Sequence, residues 1–181
     1  EAQHREDSPR RHRPRVVVAR DAVGGGGKVS LQQPPGFPLR APLLAPEAAE
    51  KIRQWQKKGD TVVFTNGCFD ILHRGHVLYL QQAAMLGQHL VVGLNSDASV
   101  RRLKGETRPL VKQEDRAILL VVIFEEDTPK ELLQVLRPDI LVKGGDYKAD
   151  EVVGRESVKR VEIISFEDGY STTGLIQKKL I

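Results

Sequence analysis

Twelve consecutive residues, Thr65-Asn66-Gly67-Cys68-Phe69-Asp70-Ile71-Leu72-His73-Arg74-Gly75-His76, constrain the fold of this chain more than any other stretch. The apolar run Val62-Val63-Phe64 before them suits a buried strand. After them, His76 to Leu86 has helical periodicity and stops at Gly87. A strand therefore feeds a glycine-containing loop that opens a helix. Phosphate binds at such turns, because the unpaired N–H groups and positive dipole of the helix N-terminus face outward. Gly67 and Gly75 let backbone approach a phosphate where a side chain would block it. His73 and His76, at i and i+3, face the same way at the helix entry. Beside an α-phosphate they can donate to oxygens whose charge grows as a nucleophile arrives. This predicts nucleotidyl transfer from a nucleoside triphosphate. With a phosphate as acceptor no covalent nucleophile is needed, and the site mainly aligns attacker and leaving pyrophosphate. Mg²⁺ on the β- and γ-phosphates would help the pyrophosphate leave.

The folded part is expected to begin near Ala45. Pro46 suits the first turn of a helix that presents Ala48, Ile52 and Trp55 on one face and ends at Gly59. Strand one is Thr61–Thr65 and strand two His89–Leu94. Asn95-Ser96-Asp97 offers caps for a short helix through Leu103. Residues Gln113 to Leu120 read as helix and Val121–Phe124 as strand three. Thr128, Pro129 and Glu131 form a capping box for a helix to about Leu136. Strand four is Ile140–Lys143, a helix spans about Asp150 to Lys159, strand five is Val161–Phe166, and Ser171 caps a last helix, Thr172 to Leu180. Apolar strands alternating with helices predict an α/β fold, a Rossmann-like five-stranded parallel sheet with helices on both faces. Ligands gather at the C-terminal ends of such strands. Four polar or glycine-rich clusters fall there: Asn66–His76, Asn95–Asp97, Gly144–Tyr147 and Gly169–Thr173. Two junctions, Leu120 to Val121 and Lys159–Arg160 to Val161, pass from helix to strand without a turn residue, although such connections take about 2–6 residues. Both point to residues missing from the sequence.

Residues 1–44 carry eight Lys/Arg against four Asp/Glu, so the whole net charge of +4 resides there, and residues 45–181 are neutral. A pI near 9.3 is thus no sign that the folded domain binds nucleic acid. The same segment holds Gly24 to Gly27, six of the ten prolines and no sustained periodicity, and reads as a disordered basic, Gly/Pro-rich tail or linker. Residues 45–181 form the catalytic domain. The chain begins at Glu1 and its only methionine is Met85, which fits a fragment or a processed form. A single cysteine, Cys68, excludes an internal disulfide and fits a reducing compartment. No apolar run approaches the roughly 20 residues of a membrane span.

Asn66 through His76 resembles the signature of the cytidylyltransferase-like nucleotidyltransferases, whose core is His-x-Gly-His. Tyr170-Ser171-Thr172-Thr173 resembles their second signature, Ile-Ser-Thr-Thr, with Tyr170 in the Ile place. More narrowly, Val92-Gly93-Leu94-Asn95-Ser96-Asp97-Ala98-Ser99-Val100-Arg101-Arg102-Leu103-Lys104-Gly105 and Leu141-Val142-Lys143-Gly144-Gly145-Asp146-Tyr147 resemble the bacterial D-glycero-β-D-manno-heptose 1-phosphate adenylyltransferases. These occur alone or as the C-terminal half of a bifunctional kinase–adenylyltransferase. The resemblance covers about residues 45–181. It also places extra residues at both turnless junctions.

The resemblance implies the His-x-Gly-His fold and a role for each matched residue. His73 and His76 contact the α-phosphate, and Lys104 brings charge to the phosphates, as the catalytic group. Gly67, Cys68, Phe69 and Gly75 line the nucleotide pocket, and Arg116 brings further charge from the next helix. Ser171, Thr172 and Thr173 hold the β- and γ-phosphates. Asp97 and Asp146 bind sugar hydroxyls or the base. The implied reaction is ATP plus the heptose 1-phosphate giving ADP-heptose and pyrophosphate, for lipopolysaccharide or surface-glycan precursors. The implied enzyme is cytoplasmic and homo-oligomeric, with small-molecule partners, no nucleic acid and no membrane. Two alternatives stand beside it: a cytidylyltransferase acting on glycerol 3-phosphate or a phosphoalcohol, and a non-catalytic nucleotide-binding domain.

Plainer readings apply residue by residue. A His-x-x-His pair is two ligands short of a zinc site. Cys68 has no histidine reserved as its base and reads as a small buried residue. Glu125-Glu126-Asp127 reads as a solvated loop, Ser171 as a helix cap, and Tyr79, Leu80 and Met85 as core.

Overall fold

The computed structural model describes residues 15–16, 42–117, 122–145, 147–165 and 176. In chain order the elements are β1 (Arg15–Val16), α1 (Ala45–Lys57), β2 (Val62–Gly67), α2 (Arg74–Ala84), β3 (His89–Asn95), α3 (Asp97–Lys104), α4 (Gln113–Arg116), β4 (Val122–Phe124), α5 (Lys130–Leu136), β5 (Ile140–Gly144) and β6 (Arg160–Ile164). All the described strand pairings are parallel. The sheet runs β3-β2-β5-β6, and the far edge of β3 carries β1 at its start and β4 at its end. Strands β2 to β6 are the five expected parallel strands, and β1 is a two-residue addition. The longest register joins β2 to β3 from Val62↔His89 to Gly67↔Leu94.

Period-2 alternation sends successive strand residues to opposite faces. Val62 and Phe64 of β2 pack with Ala48, Ala49 and Ile52 of α1 and Leu132, Leu133 and Leu136 of α5. Val63, between them, packs on the other face with Tyr79, Ala83 and Ala84 of α2. Both faces are covered, which is why these strands read as unbroken apolar runs. Asp139 fastens the edge of the sheet away from the loops. Its Oδ2 accepts from Val62 N at 2.8 Å and from Gln56 Nε2 at 3.1 Å, and its Oδ1 pairs with Lys159 at 2.6 Å.

Several expected elements differ. Instead of a helix over 150–159 there is a single 3₁₀ turn, Arg155–Ser157. Gly154 precedes it at φ +90°, and a Cβ there would meet Leu133 Cδ1 at 2.2 Å. This left-handed glycine, seated against α5, ends any helix before it can form. The turn missing from the sequence at 159–160 is thereby supplied: Val158 is extended, and Lys159 N and Arg160 N donate to Asp139 O. Helix α4 stops at Arg116, and residues 118–121, which include the other junction, lie outside the described residues. Thr128 does not cap α5. The helix starts at Lys130 behind Pro129, whose carbonyl accepts from Leu133 N, so Thr128 is one residue too early to reach the first free N–H groups. Met85 is 78% exposed rather than core, whereas Tyr79 is buried and Leu80 packs against it. Of the last helix only Ile176 is described, and it is helical.

Candidate active site

Strand β2 delivers its chain to the C-terminal edge of the sheet, where Cys68, Phe69 and Asp70 turn toward α2. Phe69 adopts φ +45°, a costly region for a bulky residue, and is 6% exposed. Its ring lies over Gly67 so closely that a Cβ on Gly67 would be 2.9 Å from Phe69 Cε2. Strained backbone of this kind persists where surrounding structure fixes it, and it concentrates at functional sites.

His73 caps α2: its Nδ1 accepts from His76 N at 3.4 Å. An accepting Nδ1 puts the proton of neutral His73 on Nε2, leaving that nitrogen a donor. The two imidazoles stack at 3.8 Å between centroids and 22° between planes, and Phe69 meets His76 edge-on at 5.1 Å. Burial lowers the pKa of His73. Burial, then the neighbouring His73, push His76 down to about 4 against a backbone hydrogen bond with Ile71. His76 is therefore neutral near pH 7. Its Nδ1 is buried without a hydrogen-bond partner. A buried polar atom without a partner is uncommon in a folded protein, and the residue that carries this one lines a cavity.

That cavity measures about 670 Å³, within the range of small-molecule sites. The loop after β2 contributes Asn66, Gly67, Cys68, Phe69 and Asp70 to it. The α3 side contributes Lys104 and Arg108, and the end of β5 contributes Lys143, Gly144 and Gly145, followed by Tyr147. Three of the four expected clusters thus supply residues to one sheet edge.

The expected site residues divide. Gly67, Cys68, Phe69, His76 and Lys104 line the cavity, and His73 stacks behind His76. Gly75 is buried in the first turn of α2. Arg116 and Asp97 do not line it; they hold each other. Arg116 Nη2 donates to Asp97 Oδ1 at 2.5 Å, Nη1 to Cys68 O at 2.5 Å and Asn95 O at 3.0 Å, and Nε to Val111 O at 2.8 Å. With its side chain 1% exposed and these donors engaged, Arg116 is a clamp behind the site rather than a charge facing phosphate. Asp146, Ser171, Thr172 and Thr173 lie outside the described residues. Burial first pushes the Cys68 thiol up, which suits a packed side chain more than a nucleophile.

Sequence reasoning assigned no role to three residues that shape the cavity. Asp70 is buried. Its Oδ1 accepts from Leu110 N at 2.7 Å and Val111 N at 2.9 Å, and its Oδ2 accepts from Arg108 Nε. It thereby pins the loop after α3, whose Arg108 lines the cavity. Lys143 Nζ donates to Asn66 Oδ1 at 2.5 Å, joining the ends of β5 and β2. The signal for Lys143 was a charged residue at the C-terminal end of an apolar strand, just before two glycines. Asp127, read as part of a solvated loop, lines the cavity while paired with Arg102 at 2.8 Å.

A family model described as cytidylyltransferase-like matches residues 64–178. Among curated proteins, the bifunctional protein HldE of Wolinella succinogenes is 54% identical over 145 residues, covering 75% of this chain and 31% of that protein. That of Geobacter sulfurreducens is 58% identical over 145 residues, covering 74% and 29%. The Nitratiruptor sp. protein of the same name is 59% identical over 130 residues, covering 67% and 28%. The chain spans less than a third of the length of these relatives. Among solved structures, a lipopolysaccharide core biosynthesis protein from Thermoplasma volcanium is 26% identical with a TM-score of 0.48, covering 62% of this chain and all of that one.

Proposed function

The chain belongs to the cytidylyltransferase-like family, and from that premise we propose that it transfers AMP from ATP to D-glycero-β-D-manno-heptose 1-phosphate, giving ADP-heptose and pyrophosphate. The observation that carries the reading is the stacked His73–His76 pair at the N-terminus of α2, of which His76 lines a cavity of substrate size. The choice of ATP and a heptose phosphate rests on the likeness to the HldE proteins.

In this reading an anionic oxygen of the sugar phosphate attacks the α-phosphorus. A new O–P bond forms, the bond to the β-phosphate oxygen breaks, and pyrophosphate leaves with the electron pair. No proton need move. The imidazoles and the positive end of α2 meet charge that grows on the α-phosphate oxygens, and donors aimed this way are worth about 2.7–4 kcal/mol each in acyl-transfer sites. Lys104 adds charge from the α3 side. Ser171, Thr172 and Thr173 would hold the β- and γ-phosphates. Mg²⁺ would accompany the β- and γ-phosphates as MgATP and ease the departure of pyrophosphate. No helix of the described residues is long and apolar enough to cross a membrane. A cytoplasmic homo-oligomer serving lipopolysaccharide precursor synthesis completes the proposal.

Pyrophosphate release by purified protein tests it, pairing ATP or CTP with heptose 1-phosphate or glycerol 3-phosphate. Release only with ATP and the heptose phosphate is expected. Release with CTP and glycerol 3-phosphate would transfer the assignment to the cytidylyltransferase alternative, and silence with every pair would defeat the enzyme reading.

A further inference from the structure

Lys143 is a charged side chain for which the proposed reaction has so far found no use. It stands at the C-terminal end of β5, and β5 lies between β2, whose loop leads to the histidines, and β6. Its neighbour across β6 is the apolar Ile163. The hydrogen bond described for its ammonium runs to the neutral Asn66, and no ion pair is described for it. Among the described residues, the charged groups nearby are otherwise engaged. Asp70 is taken by Arg108 and two backbone N–H groups, Asp127 pairs with Arg102, and Glu162 of β6 pairs with Arg160. His76 is neutral near pH 7, Lys104 and Arg108 add only positive charge, and Asp146 lies outside the described residues. Desolvation lowers the Lys143 pKa to about 8, so it is still mostly charged at neutral pH. A desolvated cation without a counter-ion costs stability. On the wall of a cavity, that cost is offset when an anion arrives.

Position decides which anion. In-line displacement puts the entering and leaving groups on opposite sides of the α-phosphorus, which the histidines place at β2. Lys104 and Arg108 stand on the β3 side. Lys143 stands on the opposite side, at the end of β5 between β2 and β6. We propose that Lys143 is the leaving-group cation of this site, oriented by Asn66 to meet the charge that appears on pyrophosphate as its bond to the α-phosphorus breaks. The sugar phosphate then enters from the Lys104 side. This rests on the nucleotidyl-transfer reading above.

The test is Lys143→Met in the full chain, with Lys143→Arg as the charge-keeping control. Inorganic pyrophosphate binding, by calorimetry, should weaken at least tenfold in Lys143→Met and stay within about threefold of wild type in Lys143→Arg. Turnover should fall about 10- to 100-fold, the size of one lost charge-assisted contact, with KM for the heptose phosphate within twofold. Thermal stability should hold or rise, because a methionine replaces a desolvated ammonium. Unchanged pyrophosphate affinity would overturn the assignment. So would a rise confined to the sugar-phosphate KM, which would put Lys143 on the acceptor side. A folding failure of Lys143→Met would also overturn it, by making the Asn66 contact structural. Should wild type release no pyrophosphate with any substrate pair, the enzyme reading fails, yet the calorimetric comparison still decides whether Lys143 holds pyrophosphate.

Discussion

Asp70→Asn is the sharpest probe of how the loop after α3 is held against the cavity. The amide oxygen of Asn can still accept from Leu110 N and Val111 N, which now meet Oδ1 at 2.7 and 2.9 Å. Its NH₂ then faces Arg108 Nε–H, donor against donor. A charge-assisted bond is lost, worth about 1.5–3 kcal/mol. The guanidinium is left without a carboxylate on a side chain 14% exposed. Breaking a fully buried pair costs about 3–5 kcal/mol, and the residual exposure brings our expectation to about 2–3 kcal/mol. Urea denaturation of wild type, Asp70→Asn, Arg108→Met and the double variant measures it. The coupling energy should be about 1.5–3 kcal/mol, at the upper end for contacting groups. Turnover should fall with stability, since a loop shift on the order of 1 Å can cost about a hundredfold. Additive effects within about 0.3 kcal/mol would refute the reasoning, because the loop would then be held by something other than Asp70.

Three further outcomes are expected. His76→Ala should lower turnover about 10²–10³-fold with the fold intact by circular dichroism, as for one lost transition-state donor; wild-type activity would remove it from catalysis. Because the pKa of His76 falls from 6.5 to about 4 in the folded state, the unfolded chain binds the extra proton first. Stability should therefore be lost as pH drops from about 6.5 toward 4, and His76→Ala should flatten that part of the melting-temperature profile. Gly154→Ala combines φ +90° with a 2.2 Å approach to Leu133 and should cost at least about 2 kcal/mol in chemical denaturation, whereas an exposed glycine changed in an open turn would cost far less.

Legibility followed locality. The strand–loop–helix at Val62 to Ala84 was readable because every constraint on it is near in sequence: an apolar strand, glycines at close approaches, a capping histidine. Ser96 as a cap was readable for the same reason, and its Oγ accepts from Ser99 N at 3.2 Å. Residues that depend on strand order were not. Lys143 acquires meaning only because β5 pairs with β2 and brings it to Asn66. A lone lysine in a sequence is most often solvated. Arg116 misled for the opposite reason. It lies close to the site, as its motif implied, but three carbonyls and a carboxylate take its donors. The helix expected over 150–159 failed at Gly154, where tertiary contact with Leu133 outweighs local propensity.

The Arg116 clamp has a consequence for how this protein can vary in length. It ties the chain to Cys68, Asn95, Asp97 and Val111 just before residues 118–121 begin. The clamp's partners all precede Arg116 in the chain, and β4 rejoins the sheet at its outer edge, beyond β3. The Arg116 contacts therefore place no demand on the length of chain between α4 and β4. Natural variants or engineered loops should be able to lengthen or shorten it without moving the phosphate site, as long as the arginine stays.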